Sequence, residues 1–360
     1  MRLSPSHPAV ALGLLALAMA LMPLNDVIIK TIGPGHEGFS RLSIDGPLLS
    51  LTLLIFCRSL LIFAVLAYFP ATIASLQGLS LRLWTLLLTR GAMLGISMML
   101  FFVGLALMPL WQAVSVFFIS PLLISLLSVP FLGERLGLWR VLAQLMGFGG
   151  VLVMVLPGAG SDGLDWSFAL PFLSALYYAL YNILTRLIGD QASTLSMTNI
   201  QHLGYMLVGL IFAVLIWLLP LDASLVHSQN PGLAFILRPW VMPTWEQIGF
   251  ILLCGAMIAF LSYASSNAYA HLEAKFGRTL RICLYAYMPL SLFWSILIWN
   301  EYPSMYGWIG GALILGAGFL TVFRENIRGV DIATMAPMPM AASVPNLEEA
   351  AGALPGKEEA

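Results

Sequence analysis

The sequence predicts an all-α polytopic membrane protein of about ten transmembrane helices, arranged as two inverted five-helix repeats. Charged residues make up only 9% of the chain, hydrophobic residues make up 60%, and the mean hydropathy is +0.92. A soluble domain averages about 25% charged residues. The apolar runs are continuous and reach the roughly 20 residues that a helix needs to cross a bilayer, whereas barrel strands would show short alternating segments.

The apolar runs predict the helices in chain order, with ends good to about 3 residues. Their spans are 9–32, 48–69, 84–107, 110–132, 138–156, 166–188, 198–219, 246–270, 280–299 and 305–324. The first run is too long for the apolar part of a signal peptide, and we expect it to stay as a helix. After Arg328 the composition shifts to Ala, Pro, Met and Glu, which predicts a disordered cytoplasmic tail over 330–360.

Lys and Arg predict the orientation in the membrane. If the N-terminus is cytoplasmic, the outer loops receive only Arg41 and Arg238. The inner side then receives Arg2, Arg82, Arg135, Arg140, Lys275, Arg278, Arg324 and Arg328, with Arg90, Arg186 and Arg281 near the inner ends of helices. Because cytoplasmic loops carry an excess of Lys and Arg, this distribution predicts a multi-pass protein of the cell inner (plasma) membrane with both termini in the cytoplasm.

Two stretches of similar sequence predict an internal repeat. Residues 107–155 and 287–322 each hold two apolar segments joined by a turn. In these two stretches Pro121 corresponds to Pro289, and Glu134 to Glu301. The predicted repeats are therefore 9–156 and 166–324.

The earlier parts of the two predicted repeats also correspond. Laying 21–33 over 177–189 pairs Asp26 with Asn182 and Lys30 with Arg186. Five helices per repeat is an odd number, so the second repeat enters the membrane from the opposite side. Inverted repeats are typical of carriers that alternate between inward-open and outward-open states, and they favour a transport function.

These motifs resemble the EamA family of the drug/metabolite transporter superfamily. The resemblance depends on Pro121, on Leu132-Gly133-Glu134, on the glycines of the next helix and on Arg58, and it covers about residues 9–324. It implies a fold of ten helices in inverted repeats and the transport of a solute. The second half departs from the pattern, since Asn300-Glu301 replaces Gly-Glu and His202 replaces the arginine.

Three charged residues inside predicted helices are candidate solute-binding residues. Arg58 lies roughly 15 Å from either surface of the bilayer, and a charge at mid-helix costs about 2.5–3.5 kcal/mol. Asp26 and Lys30 stand four residues apart on one helix face. They could neutralise each other, Asp26 could pair with Arg58 to lock the packing, or the cations could bind an anionic group of the solute with Asp26 as a proton site.

Polar and aromatic residues inside other helices are candidates for a translocation cavity. They are Gln112, Tyr178, Tyr181, Asn182, Asn267 and Tyr285. Aromatic faces and a few amides suit a planar or amphipathic metabolite, although Tyr near helix ends also forms interfacial belts.

A second set of residues is predicted to act in gating or in structure. Pro121 and Pro289 would kink corresponding helices, and either kink could be a bending point or merely a static feature. Glu134 is expected to pair with Arg135 or Arg140 or to stabilise the following helix, with Glu301 as its counterpart. The Gly91/Gly95 and Gly307/Gly311 spacings predict close helix contacts.

The sequence favours a secondary transporter that moves a small metabolite or drug-like solute across the inner membrane by alternating access, with proton coupling through Asp26 as an option. A membrane scaffold or receptor, or a membrane enzyme, is the alternative. The sequence has no H-E-x-x-H, G-x-S-x-G or P-loop motif, so we expect no metal, no cofactor and no enzymatic activity. Membrane lipid and the solute are the expected partners, nucleic acid is not, and a homodimer is left open.

Overall fold

A computed structural model describes residues 8–32, 51–67, 70–133, 137–155, 166–218, 242–258 and 286–325, together with Leu237 and Trp240. All regular elements in these ranges are helical. The α-helices are α1 Pro8–Ile32, α2 Leu51–Ala67, α3 Pro70–Leu76, α4 Leu81–Leu107, α5 Leu110–Phe117, α6 Ser120–Leu132, α7 Leu138–Val155, α8 Ala169–Ile188, α9 Thr194–Leu218, α10 Trp245–Ile258, α11 Tyr287–Trp299 and α12 Met305–Glu325. Short 3-10 turns cover Trp166–Phe168 and Gly189–Gln191.

Within the described residues, the helices lie close to the predicted spans, with two differences; residues 259–270 and 280–285 of two predicted spans lie outside the described residues. The short helix α3 follows α2 and was not expected. The predicted helix 110–132 is divided into α5 and α6 at Phe118 and Ile119. Proline cannot donate a hydrogen bond, and its ring clashes with the carbonyl four residues earlier. That carbonyl belongs to Phe117, the last residue of α5, so Pro121 accounts for the division.

Large apolar side chains cover much of the surface, and several charged side chains are buried inside an otherwise apolar core. Among the described residues, four helical stretches are long and apolar enough to cross a membrane: Leu81–Leu107, Leu110–Leu132, Trp166–Ile188 and Ser196–Leu218. Large apolar side chains such as Leu145, Leu152 and Trp217 are exposed, while Asp26 and Arg58 are buried. Such a distribution suits a protein whose outer surface contacts hydrocarbon.

Two helices end in the same unusual backbone conformation. The residue after α6, Gly133, has φ 68°, and the residue after α11, Asn300, has φ 54°. In each case the N–H of this residue donates to carbonyls of the last helical turn. Asn is the residue other than Gly that most readily adopts the left-handed region. Asn300, in front of Glu301, therefore adopts the same conformation as Gly133 in front of Glu134.

Glycines bring two pairs of helices into close contact. A Cβ added to Gly91 of α4 would lie 2.9 Å from the carbonyl oxygen of Gln201 in α9, and one added to Gly204 would lie 2.7 Å from the Cα of Gly91. A Cβ on Gly150 of α7 would lie 2.7 Å from the carbonyl oxygen of Gly310 in α12. The predicted close helix contact at Gly91 is confirmed, and it holds α4 and α9 backbone to backbone.

Candidate functional site

Asp26 lies in α1 and accepts hydrogen bonds from two side chains. One donor is the Tyr287 hydroxyl of α11, and the other is the amide of Asn25, whose Nδ2 lies 3.2 Å away. The Tyr287 ring stacks on Phe118, with 5.8 Å between centroids and 13° between planes. Since Phe118 lies at the division between α5 and α6, the irregular backbone there supports the ring that holds the Asp26 carboxylate.

Arg58 of α2 lies among aromatic rings. Its guanidinium carbon is 5.7 Å from the centroid of the Phe102 ring and 5.9 Å from that of Tyr205. The side chain is 6% exposed, and the described part of the chain offers it neither an ion pair nor a hydrogen bond. Asp26 lies within electrostatic range but outside ion-pair distance. The locking pair between Asp26 and Arg58 is therefore not formed in this conformation.

Lys30 of α1 pairs with Glu301 instead of with Asp26. Its Nζ lies 2.9 Å and 3.2 Å from the two carboxylate oxygens of Glu301 and 3.1 Å from the carbonyl oxygen of Met108. It also lies 4.6 Å from the centroid of the Trp299 ring. Glu301 accepts a further hydrogen bond of 2.5 Å from the Ser295 hydroxyl. This contact joins α1 to the turn after α4 and to the end of α11.

Arg90 of α4 is a fully buried cation that the sequence analysis placed near a helix end. The helix begins at Leu81, nine residues earlier, so Arg90 lies roughly 13 Å along it. The guanidinium donates to Thr185 Oγ1 at 2.6 Å, to the Tyr181 hydroxyl at 2.7 Å and to the Met197 carbonyl at 3.2 Å. These acceptors are neutral and lie on α8 and α9. Arg90 therefore fastens three helices together.

The predicted aromatic residues of α8 are buried as a group. Tyr178 and Tyr181 stack with 5.8 Å between ring centroids, and Phe117 lies 5.5 Å from Tyr178. Asn182 is buried and donates to the Tyr178 carbonyl of its own helix at 2.8 Å. Gln112 is half-buried on α5.

The remaining predicted site residues are only partly covered by the structure. Pro121 and Pro289 lie in the first turns of α6 and α11 as described. Asn267, Tyr285 and Glu134 lie outside the described residues.

Sequence reasoning missed Asn25 and Arg90. Asn25 is 5% exposed, and its Oδ1 has no hydrogen-bond partner among the described residues. Its position beside a charged residue in an apolar helix was the available signal. In the same described part of the chain, no cluster of His, Cys, Asp or Glu could hold a metal ion.

Comparison with known proteins points to a transporter. Residues 7–156 match the EamA-like transporter family. The chain is 31% identical over 241 residues to a riboflavin transporter of Rhizobium johnstonii, covering 67% of this chain and 70% of that protein. It is 26% identical over 245 residues to a riboflavin transporter of Vibrio cholerae, covering 68% and 72%. It is also 23% identical over 237 residues to an S-adenosylmethionine uptake transporter of Rickettsia prowazekii, covering 66% and 71%.

Proposed function

This chain belongs to the EamA-like transporter family of the drug/metabolite transporter superfamily, and we propose that it imports riboflavin or a close flavin relative across the inner membrane. The chain is a multi-pass membrane protein that transports a small molecule and is not an enzyme. The observation that carries the choice of solute is the 31% identity with a riboflavin transporter over two thirds of the chain. A second riboflavin transporter, from another organism, supports it.

The aromatic interior supports a flat, uncharged solute. Phe118 and Tyr287 stack beside Asp26, and Phe102 and Tyr205 flank Arg58. Ligand sites are typically apolar and aromatic with a few placed polar groups, and stacked rings suit a fused heterocycle. An unpaired guanidinium such as that of Arg58 would repel a cationic solute, which disfavours the sulfonium of S-adenosylmethionine.

We infer transport by alternating access from the predicted inverted repeat. The left-handed caps at Gly133 and Asn300 support the pairing of the two repeats. In the predicted orientation, the Lys30–Glu301 contact lies at the outer end of α1 and closes that side. The sequence pairing assigns Arg186 and Glu134 as the counterpart at the inner end. Exchange between these two contacts would open one side at a time.

Asp26 is the proposed proton site. Its carboxylate is buried in α1 and held by the Tyr287 hydroxyl. Within a membrane interior, a carboxylate that gains and loses a proton is a common means of coupling. Uptake would then depend on the proton gradient, and Asp26→Asn would remove that dependence while leaving exchange of solute across the membrane.

Uptake of labelled riboflavin into proteoliposomes tests the proposed function. We expect saturable uptake with the wild-type chain and with Arg82→Ala, which removes an exposed arginine at the start of α4. Arg58→Ala is expected to lose uptake while remaining folded and monodisperse in detergent. Absence of riboflavin uptake by folded wild-type protein would refute the choice of solute. Uptake of S-adenosylmethionine in its place would retain the transport function and name a different solute.

A further inference from the structure

Two groups with remaining hydrogen-bonding capacity lie in the membrane interior on α1 and α2. The acceptor group is Asp26 with its neighbour Asn25, and the donor group is Arg58. They lie within electrostatic range of each other without forming an ion pair. The buried Oδ1 of Asn25 has no partner among the described residues, and a polar atom left in this state is costly, so a donor from the solute would stabilise it.

The acceptor group can accept further hydrogen bonds from the solute. A carboxylate can accept about four hydrogen bonds, and the described residues supply two, from Tyr287 to one oxygen of Asp26 and from Asn25 to the other. The Asn25 amide donates one N–H to Asp26, and its own Oδ1 is buried with no partner in the described part of the chain. A ring N–H of a solute would fill this acceptor site.

The donor group can donate hydrogen bonds to acceptors of the solute. A guanidinium carries five N–H donors, and no hydrogen bond of Arg58 is formed with any described residue. The rings of Phe102 and Tyr205 contact the guanidinium. Rings attract the cation but leave its in-plane N–H groups available. Carbonyl oxygens of a solute would satisfy them.

We propose that Asp26 with Asn25 and Arg58 recognise the polar edge of a flat heterocycle in which a ring N–H lies beside a carbonyl. The N–H donates to the Asp26 carboxylate, and the carbonyl accepts from Arg58. The imide edge of the isoalloxazine ring of a flavin has this pattern. The inference rests on the proposed function and deepens it, because it names the part of the solute that is read.

An α-amino acid group is the competing ligand for a carboxylate and a guanidinium, since its ammonium and carboxylate would meet the same two residues. The aromatic surroundings favour the heterocycle. The Tyr287 ring, which holds Asp26, is stacked on Phe118, and Arg58 contacts two further rings. An ammonium and a carboxylate would need polar surroundings that these rings do not supply.

Binding of riboflavin and N3-methylriboflavin to the full detergent-purified chain tests the inference, with quenching of flavin fluorescence as the readout. Methylation removes the ring N–H and leaves the carbonyls. We expect wild type to bind the methylated flavin about 10- to 100-fold more weakly, since the lost hydrogen bond is to a charged group. Asp26→Ala should bind both flavins weakly and almost equally. Arg58→Gln should weaken both by a similar factor and keep the difference between them.

Two further variants keep the result decisive. Asp26→Asn retains the size of the side chain and should reduce the penalty for methylation without abolishing it. Ser97→Ala removes a buried hydroxyl that donates to the Ser174 carbonyl of α8, and it should leave the ratio of affinities at the wild-type value. A general loss of structure would weaken both flavins but would not change their ratio.

The outcomes separate the inference from the proposed function. Equal binding of the two flavins by wild type, or an unchanged ratio in Asp26→Ala, would overturn the edge recognition while riboflavin remained the solute. Failure of wild type to bind either flavin would overturn both. Binding of S-adenosylmethionine that is lost in both Asp26→Ala and Arg58→Gln would assign the two residues to an amino acid group instead.

Discussion

Replacing Glu301 by Gln should destabilise the protein by leaving Lys30 buried without its counter-charge. The Lys30 side chain is completely buried, and after the change its partners are all neutral: the Met108 carbonyl, the Trp299 ring and the amide oxygen introduced at position 301. Removing one member of a buried ion pair costs about 3–5 kcal/mol. Because the Glu301 side chain is 17% exposed, we expect the lower end, about 3 kcal/mol.

The double variant Lys30→Met/Glu301→Gln separates the charge interaction from packing. It removes both charges together, so its loss of stability should be smaller than that of Glu301→Gln alone. The free energies of unfolding of wild type, both single variants and the double variant form a cycle whose coupling term isolates the pair. Denaturant titration in detergent supplies the four values, and Arg82→Gln, which removes an exposed charge, is the matched control.

Under the proposed alternating access, the Lys30–Glu301 contact forms only where this end of the protein is closed, so the same loss should change transport. A loss of about 3 kcal/mol from the closed conformation shifts its population by on the order of 100-fold. Riboflavin uptake by Glu301→Gln should fall, and the double variant should recover part of it. If the coupling term is near zero, or if Glu301→Gln unfolds and transports as Arg82→Gln does, then the contact neither stabilises nor gates the protein.

Two further variants test how α4 is packed. Gly91→Leu should lower the free energy of unfolding by at least about 2 kcal/mol, since its Cβ would lie 2.9 Å from the Gln201 carbonyl oxygen. Gly13→Leu is the control and should be neutral or stabilising, because a Cβ there has nothing within 4 Å. Equal effects of the two variants in denaturant titration would contradict the backbone contact of α4 with α9. Arg90→Lys should lower the free energy of unfolding by about 1–3 kcal/mol, because an ammonium cannot bond all three acceptors that the planar guanidinium reaches. If this decrease is no larger than that of Arg82→Lys, these hydrogen bonds contribute little to stability.

Much of the helical layout follows from local rules. A run of about 20 apolar residues is sufficient to predict a membrane helix, and helix ends follow from residues such as Pro121 and Gly133, whose backbone restrictions act within one turn. The division between α5 and α6 was foreseeable as a kink from Pro121, although its position at Phe118 was not. Asn300 was paired with Gly133 from sequence similarity, and the left-handed conformation they share supplies the reason.

The partners of the interior charges could not be read from the chain. The i, i+4 rule placed Lys30 beside Asp26, yet its carboxylate partner is Glu301, which is 271 residues away. Asp26 is held by a tyrosine 261 residues away. The sequence predicted Arg90 to be a cation near a helix end. Its three acceptors belong to α8 and α9, so its buried role could not be read from α4 alone.

The sequence by itself determined that the protein is helical, that it belongs in a membrane, and which helices carry charge. Only the tertiary structure decided which charged residues form ion pairs, which form hydrogen bonds to neutral groups and which have neither among the described residues. Hydropathy and helix caps depend on a residue and its near neighbours, so they can be read from the chain. The partner of a buried charge depends on which helices meet at its depth in the bundle, and that is set by the packing of the whole chain.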